Sequence, residues 1–267
     1  MVELGVADFT RVLPLLSSSQ PLYPLFASVV EGRQPGRIFA DSAANPGAAL
    51  VCHIPGRIYG VSGDPGNHEF VTALPALLAT GPPSETQWWG FVTDTVAWGA
   101  PLDMAFTATL QKGRGISFDL QPATFRARSD WRDHVPDGYD MKEMSGDLVD
   151  ATAAQLPDGF PFPWESPEHF TSNGLGFALW LGDEVASIAF AYAGAVGSGH
   201  IEIAVYTAEG HRKKGRATLA CSAFIERALD LGMTPAWHCD AGNPGSIALA
   251  TSLGFKRRGE HTMYSLT

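Results

Sequence analysis

The sequence predicts an α/β (α+β) protein of two domains, and three observations support this prediction. The chain has 267 residues, of which 45% are hydrophobic, so it is longer than the usual single domain and rich enough for a sizeable core. Strand-like runs and helical patterns occur in both halves. A polar segment that contains a proline, RARSDWRDHVPDGYD, separates them. We therefore predict a smaller N-terminal domain over residues 1–135 and a second domain over 136–267.

In the first part, Gly/Pro-rich turns separate three runs that are rich in β-branched and aromatic residues and predict an antiparallel meander: GRIFAD, AALVCH and RIYGV. The next run predicts a helix from His68 to Thr80, bent or broken at Pro75. The run ETQWWGFVTD is ambiguous and favours a strand. We expect core positions for the tryptophans of this region, Trp88, Trp89 and Trp98.

The second half begins with a predicted helix over residues 146–155 and a proline-rich loop. Three strand-like runs follow: GFALWL, EVASIAFAYAGA and GHIEIAVYT. Hairpin turns are expected at Gly182 and at the GSG sequence that starts at Gly197.

A long amphipathic helix is predicted next, starting near Lys214 and ending at Gly232, because apolar residues recur there at the helical period. PAWHCDA then predicts a short buried strand. Asn243 followed by Pro244 predicts the start of a short helix, and HTMYSL predicts the last strand.

Positive charge is concentrated in one segment, YTAEGHRKKGRAT, which holds four of the 18 Lys and Arg residues of a chain with net charge -10. The acidic balance argues against general nucleic-acid or membrane-surface binding, which needs a broad basic surface. Because the segment joins a strand to a helix, it places Lys213, Lys214 and Arg216 beside the unpaired N–H groups of a helix start. This arrangement predicts a site for one compact anion. The alternative is a solvated basic surface.

Targeting and metal signals are weak in this sequence. The first residues lack a basic leader region, and no apolar run is long enough to span a membrane. The three cysteines show neither disulfide nor zinc-site spacing. We therefore expect a cytoplasmic protein without a bound metal.

Two motifs resemble the GCN5-related N-acetyltransferase (GNAT) superfamily. The Arg-x-x-Gly-x-Ala pattern at Arg212 to Ala217 is similar to the superfamily's pyrophosphate-binding motif, and Asn243 followed by Leu-Gly-Phe at 253–255 is similar to a second element. More narrowly, the region around Pro235, Trp237 and Cys239 resembles the subgroup that includes zwittermicin-A-type resistance acetyltransferases.

The resemblance implies a GNAT fold in the second domain, with a mixed, curved sheet in which two neighbouring strands splay apart. It also implies that acetyl-CoA is the co-substrate. The thioester arm would lie along Ala204, Val205, Tyr206 and Thr207, and the pyrophosphate would be held by Arg212, Lys213, Lys214, Gly215, Arg216, Ala217 and Thr218, with further contacts from Asn243 and Ser246. Whether the first domain is a degenerate GNAT-like half stays open.

The candidate catalytic residues are Glu202 and His238. Glu202 lies between two isoleucines, and an apolar neighbourhood can raise the pKa of a carboxyl group towards that of a general base. A solvent-facing glutamate is the alternative, because alternation alone does not assign the face. His238 would relay a proton, or be an ordinary core or edge histidine. The family's tyrosine acid aligns with Ala250, which leaves the general acid open among Ser246, Tyr264 and water.

These observations predict an N-acetyltransferase that moves an acetyl group from acetyl-CoA to a primary amine of a small molecule, such as an antibiotic or an amino-acid-like metabolite. The proline-rich loop around Glu165, Glu168 and His169 is where acceptor contacts are expected. The alternative is a catalytically silent acyl-CoA sensor. The sequence leaves the oligomeric state open, a homodimer included.

Overall fold

The computed structural model describes residues 1–80, 90–106, 110–127, 130–157, 160, 162–194 and 199–266. The chain forms two compact units. Unit 1 comprises Met1–Ile116, Asp240–Gly242 and Glu260–Thr267, and unit 2 comprises Ser117–Cys239 and Asn243–Gly259. The assignment of functional domains to 1–135 and 136–267 stays a prediction.

The twelve strands of the described residues are β1 Val2–Glu3, β2 Gly36–Ala40, β3 Ala48–His53, β4 Ile58–Gly63, β5 Gly90–Thr93, β6 Leu110–Leu120, β7 Tyr139–Glu143, β8 Gly176–Leu181, β9 Glu184–Ala193, β10 His200–Thr207, β11 Thr234–Asp240 and β12 Phe255–Leu266. The α-helices are α1 Tyr23–Val30, α2 His68–Thr80, α3 Gly99–Phe106, α4 Pro122–Arg126, α5 Asp147–Ala153, α6 Pro167–Asn173, α7 Arg216–Asp230 and α8 Pro244–Ser252. Short 3₁₀ helices span Val6–Leu15, Val96–Trp98, Trp131–His134 and Glu209–His211.

Unit 1 contains the predicted meander, in which β2, β3 and β4 are antiparallel neighbours. The chain then passes through α2 to β5, which pairs with β4 in parallel. Helix α2 has the predicted bounds and continues through Pro75, so the expected break is absent. Trp98 is fully buried, whereas Trp88 and Trp89 lie outside the described residues. In the core of this unit, the rings of Phe91 and Tyr264 stack with centroids 5.0 Å apart.

Unit 2 contains the three predicted strands as β8, β9 and β10, which are antiparallel neighbours, with β7 on the outer edge of β8. The chain then passes through α7 to β11, which pairs with β10 in parallel. Helix α7 ends as predicted, since Gly232 follows it at a left-handed φ of 72°. The second hairpin turn lies partly outside the described residues, because 197 and 198 are not described.

The last strand is longer than predicted. β12 starts at Phe255 instead of His261, and its residues 256–260 are all exposed. An exposed strand segment needs no apolar alternation, so the sequence gives no strand signal there.

The two units repeat one order of elements. In unit 1 the order is β1, α1, three antiparallel strands, α2, the parallel strand β5 and α3. In unit 2 it is β7, α5 and α6, three antiparallel strands, α7, the parallel strand β11 and α8. This common topology favours the interpretation of the first half as a second copy of the same fold.

The close contact between Gly60 and Phe26 gives a stability prediction. A Cβ atom on Gly60 would lie 2.6 Å from Cε2 of Phe26, whose side chain is fully buried. We expect Gly60→Ala to lower the free energy of unfolding by about 1–3 kcal/mol through overpacking, measured by urea denaturation. Gly5→Ala is the matched control, because nothing lies within 4 Å of its added Cβ. Equal stability of the two variants would contradict the prediction.

Candidate cofactor and catalytic site

The first feature of the site is a split between two parallel strands. β10 and β11 share three register pairs, which end where Glu202 lies opposite Ala236. Beyond this point β10 continues to Thr207 with only β9 beside it. One edge of Ala204–Thr207 therefore has no strand partner among the described residues, and its backbone groups can pair with an extended ligand.

A register shift marks the same position on the other edge of β10. Glu202 lies opposite Ala193 and Ile203 lies opposite Ala191, which leaves Tyr192 as an extra residue on β9. Such a bulge increases the local twist of a strand. Burial also changes here, because residues 201–203 are buried and 204–207 are half-buried.

The second feature is the loop that joins β10 to α7, residues 208–215, which we call the basic loop. Lys213 and Gly215 both have left-handed backbones, with φ of 57° and 75°. Helix α7, predicted to start near Lys214, begins at Arg216, so Gly215 directly precedes it, and no side chain caps the helix. The N–H groups of residues 213–218 meet no acceptor in the described part of the chain. A Cβ atom on Gly215 would meet nothing within 4 Å, so a ligand can approach the backbone there.

The basic side chains in and next to this loop bond to carbonyl groups of the loop or of the last residue of β10. Lys214 Nζ donates to the Gly210 carbonyl at 2.8 Å, and Arg216 Nη1 donates to the Lys214 carbonyl at 2.9 Å. Arg212 Nε donates to the Thr207 carbonyl at 3.1 Å. The positive charges are thereby held at the loop instead of extending freely into solvent.

Asn243 and Ser246 stabilise the start of α8. The Asn243 Oδ1 atom accepts the Ser246 N–H at 3.0 Å, as expected for an N-cap residue. The Ser246 hydroxyl accepts the Trp237 indole N–H at 3.0 Å. Contacts of these two side chains with a cofactor stay predictions.

Glu202 is buried, with 5% of its surface exposed, which excludes the solvent-facing alternative. Burial raises the pKa of its carboxyl group to about 8, although a backbone hydrogen bond from His238 and the charge of Arg258 act in the opposite direction. Since Ala236 is opposite Glu202, His238 lies two residues further on the same face of the sheet. The structure therefore brings the two candidate catalytic residues together at the split.

The side chains at the positions considered for the general acid pack in the core or bond to neighbouring residues. Ala250, where the family commonly has a tyrosine, is fully buried. Tyr264 belongs to the core of unit 1 and Ser246 bonds to Trp237. The general acid therefore stays unassigned.

The proline-rich loop between α5 and α6 packs beside this face of the sheet. The rings of Phe160 and Tyr206 have centroids 5.8 Å apart, and Phe162 lies 5.2 Å from Phe190, which is opposite Ala204. Trp164 Nε1 donates to the Ala191 carbonyl at 2.8 Å. The loop thus extends towards the register shift.

The predicted acceptor residue His169 contacts Trp164 and pairs with Glu165 at 3.5 Å, whereas Glu168, in the first turn of α6, is exposed.

Three residues with contacts at the basic loop were not predicted from the sequence: Tyr139, Glu184 and His211. His211, at the end of a 3₁₀ helix in this loop, bonds to Tyr139 and pairs with Glu184. Tyr139 also stacks against Arg216. Their separation along the chain left no sequence signal for these contacts.

The corresponding region of unit 1, from β4 to α2, differs in its loop length, its helix cap and its strand pairing. The connection from β4 to α2 has four residues, 64–67, against eight in the basic loop, 208–215. Asn67 Oδ1 caps α2 by accepting the Phe70 N–H at 3.0 Å, and the Asn67 amide donates to the Asp41 carboxylate at 2.8 Å. β4 and β5 are paired through four registers up to Val61 opposite Thr93. This helix start is capped and next to a carboxylate, so it is a poor anion site.

Comparison with known proteins decides the family. The family model described as GNAT acetyltransferase matches residues 17–264. The chain belongs to the GNAT acetyltransferase family.

Individual relatives agree with this assignment. The GNAT chain is 29% identical over 237 residues to the uncharacterized N-acetyltransferase YdfB of Bacillus subtilis (strain 168), covering 89% of this chain and 88% of the relative. It shares the fold of a GCN5-related N-acetyltransferase-like protein from Streptococcus suis 89/1591, with a TM-score of 0.72, 23% identity and coverage of 98% and 100%. A tandem GNAT protein from the clavulanic acid biosynthesis pathway has a TM-score of 0.61 at 13% identity, with coverage of 97% and 93%. The predicted GNAT fold is thus confirmed.

Three other predictions concern metal, membrane and cysteines. In the described ranges, no three His, Cys, Asp or Glu side chains are grouped to hold a metal ion. Every helix there falls short of the length and hydropathy that a bilayer-spanning segment requires. Cys52, Cys221 and Cys239 are buried and are not disulfide-bonded.

The raised pKa of Glu202 predicts how stability depends on pH. The folded protein keeps the proton up to about pH 8, whereas the unfolded chain releases it near 4.5. This contribution to stability is complete below the unfolded value and is lost as pH rises towards 8, at about 1.4 kcal/mol per pH unit. We expect Glu202→Gln to remove this slope from the free energy of unfolding, measured with urea between pH 5 and 9.

The control for that measurement is Glu69→Gln, a change at an exposed position of unit 1. It should keep the slope of the wild-type protein. A wild-type slope in Glu202→Gln would show that the Glu202 carboxyl group is ionised in the folded state.

Proposed function

We propose that this GNAT protein transfers an acetyl group from acetyl-CoA to a primary amine of a small molecule. The proposal rests on two features that lie close together in the chain: the free edge of β10 and the unpaired N–H groups after the basic loop begins. Pairing between β10 and β11 ends at Glu202, and eleven to sixteen residues later the N–H groups of residues 213–218 lack acceptors in the described part of the chain. An extended arm that ends in a diphosphate fits both features.

The residues present fit acetyl-CoA as co-substrate. The unpaired N–H groups at the start of α7 suit the diphosphate, because they provide directed donors and the positive end of the helix dipole. The charges of Lys213, Lys214 and Arg216 add to the attraction. The free edge of Ala204–Thr207 offers backbone groups to the amide groups of the pantetheine arm.

The reaction needs a neutral amine, and we assign to Glu202 the role of taking the proton. Its buried carboxyl group lies at the end of the paired region, where the arm would end. Acetyl-CoA supplies the activated acyl group, so no enzyme nucleophile is required: the amine attacks the carbonyl carbon directly, the thioester C–S bond breaks, and coenzyme A leaves as its thiolate. His238 is proposed to relay the proton, since it lies beside Glu202 on the neighbouring strand.

The finer assignments are also proposals. Similarity of the sequence around Trp237 supports the zwittermicin-A-resistance subgroup and hence a small antibiotic or amino-acid-like acceptor. The acidic balance of the chain supports attraction of a cationic amine and argues against nucleic acid as a partner. Three buried cysteines that are not disulfide-bonded support a cytoplasmic location.

A second candidate function is a silent acyl-CoA sensor. Ala250 favours it, because a buried alanine cannot protonate a departing thiolate. Such a protein would bind acetyl-CoA without turnover, so the two functions separate in an activity assay.

The test of the proposal is thiol release from acetyl-CoA over a panel of small amines. We expect kcat/KM to rise with pH as Glu202 loses its proton near pH 8, measured with an acceptor whose own pKa lies below 6. Glu202→Gln should lower kcat by about 10²–10⁴ and keep the increase in melting temperature that acetyl-CoA causes.

Glu69→Gln should behave as the wild-type protein does. Binding of acetyl-CoA without thiol release across the panel would favour the sensor. No increase in melting temperature at millimolar acetyl-CoA would contradict both functions.

A further inference from the structure

Three side chains of unit 2 contact one another at the basic loop, and we call them the support cluster: Tyr139, Glu184 and His211. His211 is 7% exposed and lies directly before Arg212. Its Nδ1 atom lies 3.0 Å from the Tyr139 hydroxyl, and its Nε2 atom lies 3.3 Å from Glu184 Oε1. With the Nε2 hydrogen directed at the carboxylate, Nδ1 accepts the hydrogen of the Tyr139 hydroxyl.

Tyr139 connects this cluster to the first residue of α7. The guanidinium carbon of Arg216 lies 4.4 Å from the centroid of the Tyr139 ring, and the ring of His211 meets the same tyrosine edge-on at 5.8 Å. One aromatic ring from β7 therefore contacts His211, near the middle of the basic loop, and Arg216, directly after the loop.

This contact offsets an electrostatic conflict. A cation in the first turn of a helix is repelled by the positive end of the helix dipole. A guanidinium over an aromatic face is attracted to the ring, and this attraction is similar in size to the repulsion by the dipole. Arg216 can therefore stay at the helix start in the absence of an anion.

The stacking also fixes which donors Arg216 leaves free. Its Nη1 group bonds to the Lys214 carbonyl, while its buried Nε atom has no hydrogen-bond partner in the described part of the chain. A planar guanidinium that is held on one face and bonded at one nitrogen loses little further freedom when it binds an anion.

We propose that Tyr139 is a positioning residue, which, with His211, orders Arg216 and the basic loop for the diphosphate group of coenzyme A. This inference rests on the proposed function and names residues outside the motif that carries it. Tyr139 acts through Arg216 and His211, and does not itself touch the diphosphate. Its effect is therefore confined to ligands that carry a diphosphate.

The test is a calorimetric titration of Tyr139→Leu and Tyr139→Phe with coenzyme A and, separately, with pantetheine, which lacks the diphosphate. We expect Tyr139→Leu to raise the Kd for coenzyme A about fivefold to tenfold, and Tyr139→Phe to raise it less, because the phenylalanine keeps the ring under Arg216. Neither change should alter the Kd for pantetheine. Tyr23→Leu in unit 1 is the matched control and should alter neither value.

A double-mutant cycle shows whether Tyr139 acts through Arg216. In an Arg216→Gln background, Tyr139→Leu should cause a much smaller further loss of affinity for coenzyme A. Unchanged affinity of Tyr139→Leu for coenzyme A, or equal losses for coenzyme A and pantetheine, would overturn the inference. A wild-type protein that does not bind coenzyme A would instead overturn the proposed function.

Discussion

The end of pairing between β10 and β11 at Glu202 is the constraint on which the rest of the site depends. Two parallel strands that stayed paired would satisfy each other's backbone groups and leave no place for an extended ligand. Because they part at Glu202, the following half of β10 keeps a free edge and leads directly into the basic loop. The same point buries the Glu202 carboxyl group and raises its pKa to about 8.

The two units show what this constraint adds to a common topology. Both have three antiparallel strands followed by a helix and a parallel strand. In unit 1 the parallel pair stays joined and the helix start is capped by Asn67. In unit 2 the pair parts, and the helix start follows a longer loop that bears cations. The candidate cofactor site therefore depends on one strand pair and one loop, because the order of the helices and strands is common to both units.

Local signals in the sequence predicted much of this structure. The strands β8 and β9, the end of α7 at Gly232 and the Asn243 cap of α8 all follow from short-range patterns. Burial of Glu202 did not follow, because alternation along a strand does not say which face is covered. The support cluster was also invisible, since Tyr139 and His211 are 72 residues apart and meet only in the folded chain.

A structure of the protein crystallised with coenzyme A tests the central claim most directly. We expect one coenzyme A in each chain, with its diphosphate at the N–H groups of residues 213–218 and its pantetheine arm along Ala204–Thr207. A diphosphate bound elsewhere, or an arm that leaves the free edge of β10 untouched, would contradict it.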